Sequence, residues 1–163
     1  MSGLGAPTPP LPDDSPLGLQ SFAVLLRRMN GEFNRIAHEF AHAQGLHLTD
    51  VQALIAILDA EAEAPGEPMT PSRLRRQLNL TSGAVTACLD RLEKAGHVRR
   101  VRAADDRRVV HLHYEEAARA LARESFRPLA RAADAARRHF SAEELRAVAR
   151  FLAEMNQELA LSR

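Results

Sequence analysis

The chain has 163 residues, 45% of them hydrophobic, which is enough apolar material for one domain with a buried core and too much for a chain disordered throughout. A single cysteine excludes an internal disulfide and fits a reducing cytoplasm. The formal net charge of +1 excludes nothing until it is divided along the sequence.

Five of the nine prolines (Pro7, Pro9, Pro10, Pro12 and Pro16) fall early, so residues 1–15 read as an extended, disordered tail. The tail has neither a basic start nor an apolar run, so no signal peptide is expected. No stretch reaches the ~20 apolar residues needed to cross a bilayer. Ser15-Pro16 has the form of a helix cap followed by a first-turn proline, after which Phe22, Leu25, Leu26, Met29, Phe33, Ile36 and Phe40 form a helical stripe. Thr49-Asp50-Val51-Gln52 reads as a capping box for a second helix through Val51, Leu54, Ile55 and Leu58, which the segment Glu61 to Pro68 ends. Thr70-Pro71 starts a short third helix through Leu74 and Leu78. Asn79-Leu80 turns it into a fourth, capped by Thr81, with Val85, Cys88, Leu89 and Leu92 on one face and Gly96 as the stop.

Beyond Gly96 the period changes to that of strands. His97 to Arg102 and Val109 to Tyr114 read as a hairpin whose tip, Ala103 to Arg108, is too charged for a core element. Glu115 to His139 reads as one Ala- and Arg-rich helix, kinked at Pro128. Ser141-Ala142-Glu143-Glu144 is a capping box for a last helix striped by Leu145, Val148, Leu152, Met155 and Leu159.

Two short helices joined by a tight turn and followed by a hairpin are the layout of a winged helix-turn-helix. The expected fold is therefore mainly α (α+β): a winged lobe with a two-stranded wing over 49–114 inside one domain over 16–163. Helices over 16–47 and 115–163 carry spare apolar faces and would pair in a homodimer. From Thr70 to His113 ten basic side chains face four acidic ones, a formal +6 that leaves −5 for the rest of the chain. Positive potential is thus focused on the winged lobe and would attract a polyanion there.

From Leu48 to about Leu121 these residues resemble the MarR family of bacterial transcription regulators. The resemblance rests on Leu48-Thr49-Asp50-Val51-Gln52, on Thr86 with Leu89-Asp90-Arg91-Leu92-Glu93-Lys94-Ala95-Gly96-His97-Val98, and on Asp105-Asp106-Arg107-Arg108-Val109-Val110. It departs in three places: His97 stands where leucine is common, Ala104 where the wing has proline, and Tyr114-Glu115-Glu116-Ala117-Ala118 where the family has Leu-Thr-Glu-x-Gly. The last departure removes a threonine cap.

The resemblance implies a regulator, usually a repressor, that binds a palindromic double-stranded DNA operator as a homodimer, with half-sites roughly 10 base pairs apart. Ser82, Gly83, Ala84, Thr86 and Ala87 would enter the major groove after the cap Thr81, although none offers a bidentate base contact. Asp106 would orient an arginine, and Arg107 or Arg108 would enter the minor groove. Thr70, Ser72, Arg73 and Arg91 would contact phosphates.

The family's effector pocket would draw on Phe40, His42, Leu46 and Leu54, and its ligand would be a phenolic or other aromatic small molecule. His38 and His42 at i, i+4, with His47 nearby, have a spacing that zinc can use, but no matched carboxylate or thiolate accompanies them, so they read as ordinary polar histidines. His111 and His113 read as solvated. Cys88 lies on an apolar stripe and reads as inert rather than as an oxidant sensor. The rival readings are a protein-interaction module on the same fold and a redox- or metal-responsive regulator. No phosphate loop, nucleophile motif or cofactor site points to an enzyme.

Overall fold

The computed structural model describes residues 18–64, 66–104 and 106–162; the expected tail and the Ser15-Pro16 cap lie outside them. The elements run α1 (Leu19–Gln44), α2 (Leu48–Glu63), α3 (Pro71–Gln77), α4 (Ser82–Lys94), β1 (Val98–Arg102), β2 (Val110–Tyr114), α5 (Glu116–Ser125), α6 (Arg127–Arg137) and α7 (Ala142–Leu161). The chain divides into two compact units, one ending at Ala120 and the other beginning at Leu121. Among the described residues no helix is long and apolar enough to cross a membrane.

In the first unit the caps decide where the short helices start. Thr70 Oγ1 accepts from the Arg73 N–H at 3.2 Å with Pro71 next in line, and Thr81 Oγ1 accepts from the Ala84 N–H at 3.2 Å. Asn79 takes φ 52° in the turn between them, a left-handed conformation that asparagine tolerates. Gly96, at φ 74°, ends the fourth helix and sends the chain into the wing.

The hairpin β1–β2 is antiparallel, with Val98 opposite Tyr114 and Arg102 opposite Val110. Leu112 also donates its N–H to the Met69 carbonyl at 2.8 Å, so the segment before α3 adds a one-residue third rung. Val98, Leu112 and Tyr114 are buried along with Leu54, Ile57, Leu74, Val85, Leu89 and Leu92, and α2, α3 and α4 all pack against the hairpin, so one core fixes wing and helices together.

Three expectations are corrected by the structure. The second helix begins at Leu48, not at a Thr49 cap: His47 occupies the cap position and Asp50 is the third helical residue, its carboxylate accepting from the His47 N–H at 2.9 Å. Its buried face follows Val51, Leu54 and Ile57, while Ile55 and Leu58 are exposed. The long helix after the wing is two helices broken at Phe126. Pro128 has no N–H to give the carbonyl four residues back, and its ring crowds that carbonyl.

On α1 only the C-terminal part of the stripe, Ile36 and Phe40 with Ala37 and Ala41, is buried, and Leu25, Met29 and Phe33 remain exposed. In the second unit, α7 starts with the Ser141–Glu144 capping box, and Val148, Leu152 and Leu159 along it are exposed.

Candidate nucleic-acid interface

α4 has two faces with different employment. Val85, Cys88, Leu89 and Leu92 are buried, whereas Ser82, Gly83, Ala84, Thr86 and Ala87 are all exposed on its first turns. A Cβ placed on Gly83 would meet nothing within 4 Å, so the fold itself does not require glycine there. Thr86 Oγ1 donates to the Ser82 carbonyl at 3.0 Å, so what it presents outward is a methyl and acceptor lone pairs. The capping oxygens of Thr70 and Thr81 are acceptors in their caps, which leaves each hydroxyl proton available to a phosphate.

Ser72 and Arg75 of α3, Ser82 and Thr86 of α4 and Arg100 of β1 line one groove of about 500 Å³. The structure therefore joins Ser72, Ser82 and Thr86 to Arg75, which is not among the residues expected from the sequence. Its signal was an exposed arginine three residues after Ser72, on the same helical face. Arg73 is half-buried at the start of α3.

At the wing, Asp106 Oδ1 accepts from the backbone N–H of Arg108 at 2.9 Å and from its Nε at 3.3 Å. The Val109 N–H reaches the Asp106 carbonyl at 2.9 Å and closes the tip. The Arg108 side chain is nevertheless 92% exposed, and Arg107 is exposed beside it. A guanidinium held by its Nε end with the rest in solvent is pre-oriented rather than consumed.

Arg91, expected on a phosphate, is employed elsewhere. Its Nε and Nη2 donate to the two oxygens of Asp50 at 2.9 and 2.7 Å, joining α4 to α2. Burial pushes the Asp50 carboxyl up, but Arg91, the His47 N–H and the Cys88 thiol outweigh it and hold the pKa below the ordinary 3.8. The Cys88 thiol is pushed up to about 12, by burial first and then by Asp50, which leaves it without thiolate character at neutral pH. On the other flank Arg100 pairs with Asp90 and Glu93 of α4.

The junction that lacks the family's threonine is held differently. Glu61 of α2 accepts from the Tyr114 backbone N–H at 3.2 Å and from Arg119 at 2.5 Å, while Arg119 lies over the Tyr114 ring. Glu115 N–H reaches the His97 carbonyl at 2.9 Å.

His97 itself is buried edge-on to Phe40, with ring centroids 5.9 Å apart and Nδ1 without a partner. Burial lowers its pKa from the ordinary 6.5, so the unfolded chain takes up this proton before the folded one. Its contribution to stability is complete above 6.5 and is lost as pH falls from there toward the depressed folded value. The melting temperature of the unaltered protein is therefore expected to fall on acidification below pH 6.5 more steeply than that of His97→Leu. Parallel thermal melts of the two proteins across that range check it.

Of the residues expected at an effector site, Phe40, Leu46 and Leu54 are buried in the core, whereas His42 is exposed. His38 and His47 are exposed too, and among the described residues no three His, Cys, Asp or Glu side chains are placed to hold a metal ion. His111 and His113 face one another edge-on, centroids 6.4 Å apart, on the outer side of β2.

Helices, turn and exposed basic hairpin together define a winged-helix DNA-binding lobe. The MarR family model matches residues 44–109. An uncharacterized HTH-type transcriptional regulator of Bacillus subtilis, YcgE, is 34% identical over 82% of this chain and 84% of its own. Among solved structures, a point mutant of MepR from a multidrug-resistant S. aureus clinical isolate superposes with a TM-score of 0.72 at 17% identity, covering 85% of this chain and 96% of that one. FabT of Streptococcus pneumoniae, solved in complex with DNA, gives a TM-score of 0.56 at 26% identity, covering 87% and 99%. The chain belongs to the MarR family, and it is a transcription regulator rather than an enzyme.

Proposed function

We propose that the protein is a cytoplasmic, ligand-responsive repressor that binds a palindromic double-stranded operator as a homodimer. The observation that carries the DNA reading is the pairing of an unobstructed, small-residue face on α4 with wing arginines that Asp106 holds outward. Small side chains let the helix enter the major groove closely, and an oriented arginine suits the narrow minor groove beside it. Ser72, Arg73, Arg75 and the Thr70 and Thr81 hydroxyls would fix register on phosphates.

The dimer reading is supported by apolar side chains left exposed on α1 (Leu25, Met29, Phe33) and on α7 (Val148, Leu152, Leu159). That an aromatic or phenolic effector releases the DNA rests on the family likeness.

The test is binding to the promoter region beside the protein's own gene, measured by mobility shift over a salt series. Log affinity is expected to fall linearly with log salt, by about 0.9 for each phosphate neutralised. Binding that ignores salt, or no binding to any duplex, would sink the reading.

A further inference from the structure

Asp50 is fully buried at the start of α2, and its carboxylate meets three donors, Nε and Nη2 of Arg91 and the His47 N–H. A buried carboxylate is tolerable only when so satisfied, and a bidentate guanidinium fixes orientation as well as distance. Arg91 lies on α4, 41 positions away in sequence. Next to it, Asp90 pairs with Arg100 of β1, and Glu93 joins the same guanidinium.

Successive residues on a helix point about 100° apart. α4 is thus held by ion pairs on two sides, to α2 through Arg91 and to the wing through Asp90 and Glu93. Such paired restraints act on one motion above all, rotation of α4 about its own axis.

That rotation matters for the exposed face. A side-chain tip about 6 Å from the helix axis moves about 2 Å when the helix turns by roughly 20°, more than the whole range of hydrogen-bond lengths. Ser82 to Ala87 lie about one to three turns before the anchors.

We propose that Asp50, through Arg91, is a positioning residue that sets the rotation of α4 and so determines whether its small side chains meet base edges. The inference rests on the DNA-binding reading above. It gives Asp50 and Arg91 a part in discriminating sequences and none in general adhesion to phosphate.

The experiment selects a duplex from a random pool with the unaltered protein, then measures affinity for it and for a scrambled duplex of equal length across a salt series. Asp50→Asn and Arg91→Gln are each expected to lose at least tenfold on the selected duplex and less than twofold on the scrambled one. The salt slope should not change, and the double variant should be no worse than the weaker single. Arg91→Lys keeps the charge but not the fork, and should show the same selective loss with its thermal melt intact, which keeps the test open should Asp50→Asn not fold.

Equal losses on both duplexes with a slope shallower by about 0.9 in Arg91→Gln would make Arg91 a phosphate contact and overturn the proposal. Losses on both duplexes that follow the folded fraction, or an unchanged ratio in Arg91→Lys, would overturn it as well. Salt-insensitive or absent binding by the unaltered protein would instead overturn the DNA reading itself.

Discussion

Replacing Arg107 and Arg108 together by alanine is expected to weaken operator binding by about a hundredfold while leaving the fold untouched. Each specific arginine contact is worth about 1–3 kcal/mol, and both of these side chains are exposed for such use. Because neither is buried, the melting temperature should stay that of the unaltered protein, since exposed substitutions usually change stability by less than about 0.5 kcal/mol. Three readings separate the possible roles. Loss on all duplexes with a shallower salt slope marks phosphate contacts, and loss confined to operators with A·T tracts beside the half-sites marks minor-groove insertion. Unchanged affinity in all of them would remove the wing from the interface.

Leu92→Ala is expected to act in the opposite manner. Leu92 is completely buried on the inner face of α4, in the core shared with α2 and the hairpin. Truncating it removes its transfer energy and leaves a cavity, a cost of about 2–5 kcal/mol. For a chain of this size that is a fall of roughly 10 °C in melting temperature, measurable by calorimetry or circular dichroism. Affinity per folded molecule should change far less than in the wing variant. A melt unchanged from that of the unaltered protein would mean that the inner face of α4 is not the centre of the core.

The order of helices, the turn at Asn79, the stop at Gly96 and the wing were all legible, because each is written in local chemistry: a cap, a left-handed residue, a change of period. What escaped was set by distant partners. Arg91 reads as a surface cation because nothing near it in sequence shows that Asp50 waits on another helix. Ile55 and Leu58 read as core because their spacing fits, yet the neighbours of α2 cover the face of Ile57 instead. The missing threonine at the wing's exit left that junction open until Glu61, more than fifty positions away, supplied the acceptor. Pro128 was visible, but whether it bends or breaks a helix depends on how the chain is supported around Phe126.

The exposed turn of α4 has a consequence for how such regulators diverge. Gly83, Ala84 and Ala87 all face solvent, and at Gly83 a new side chain would extend into open space. These neighbouring positions can therefore change without disturbing the scaffold beneath them. On the DNA-binding reading proposed above, an arginine or asparagine introduced there would add a bidentate base contact that the present small side chains do not offer. The recognition surface is in this sense interchangeable, and a lineage, or a protein engineer, could move to a new operator by rewriting one helical turn.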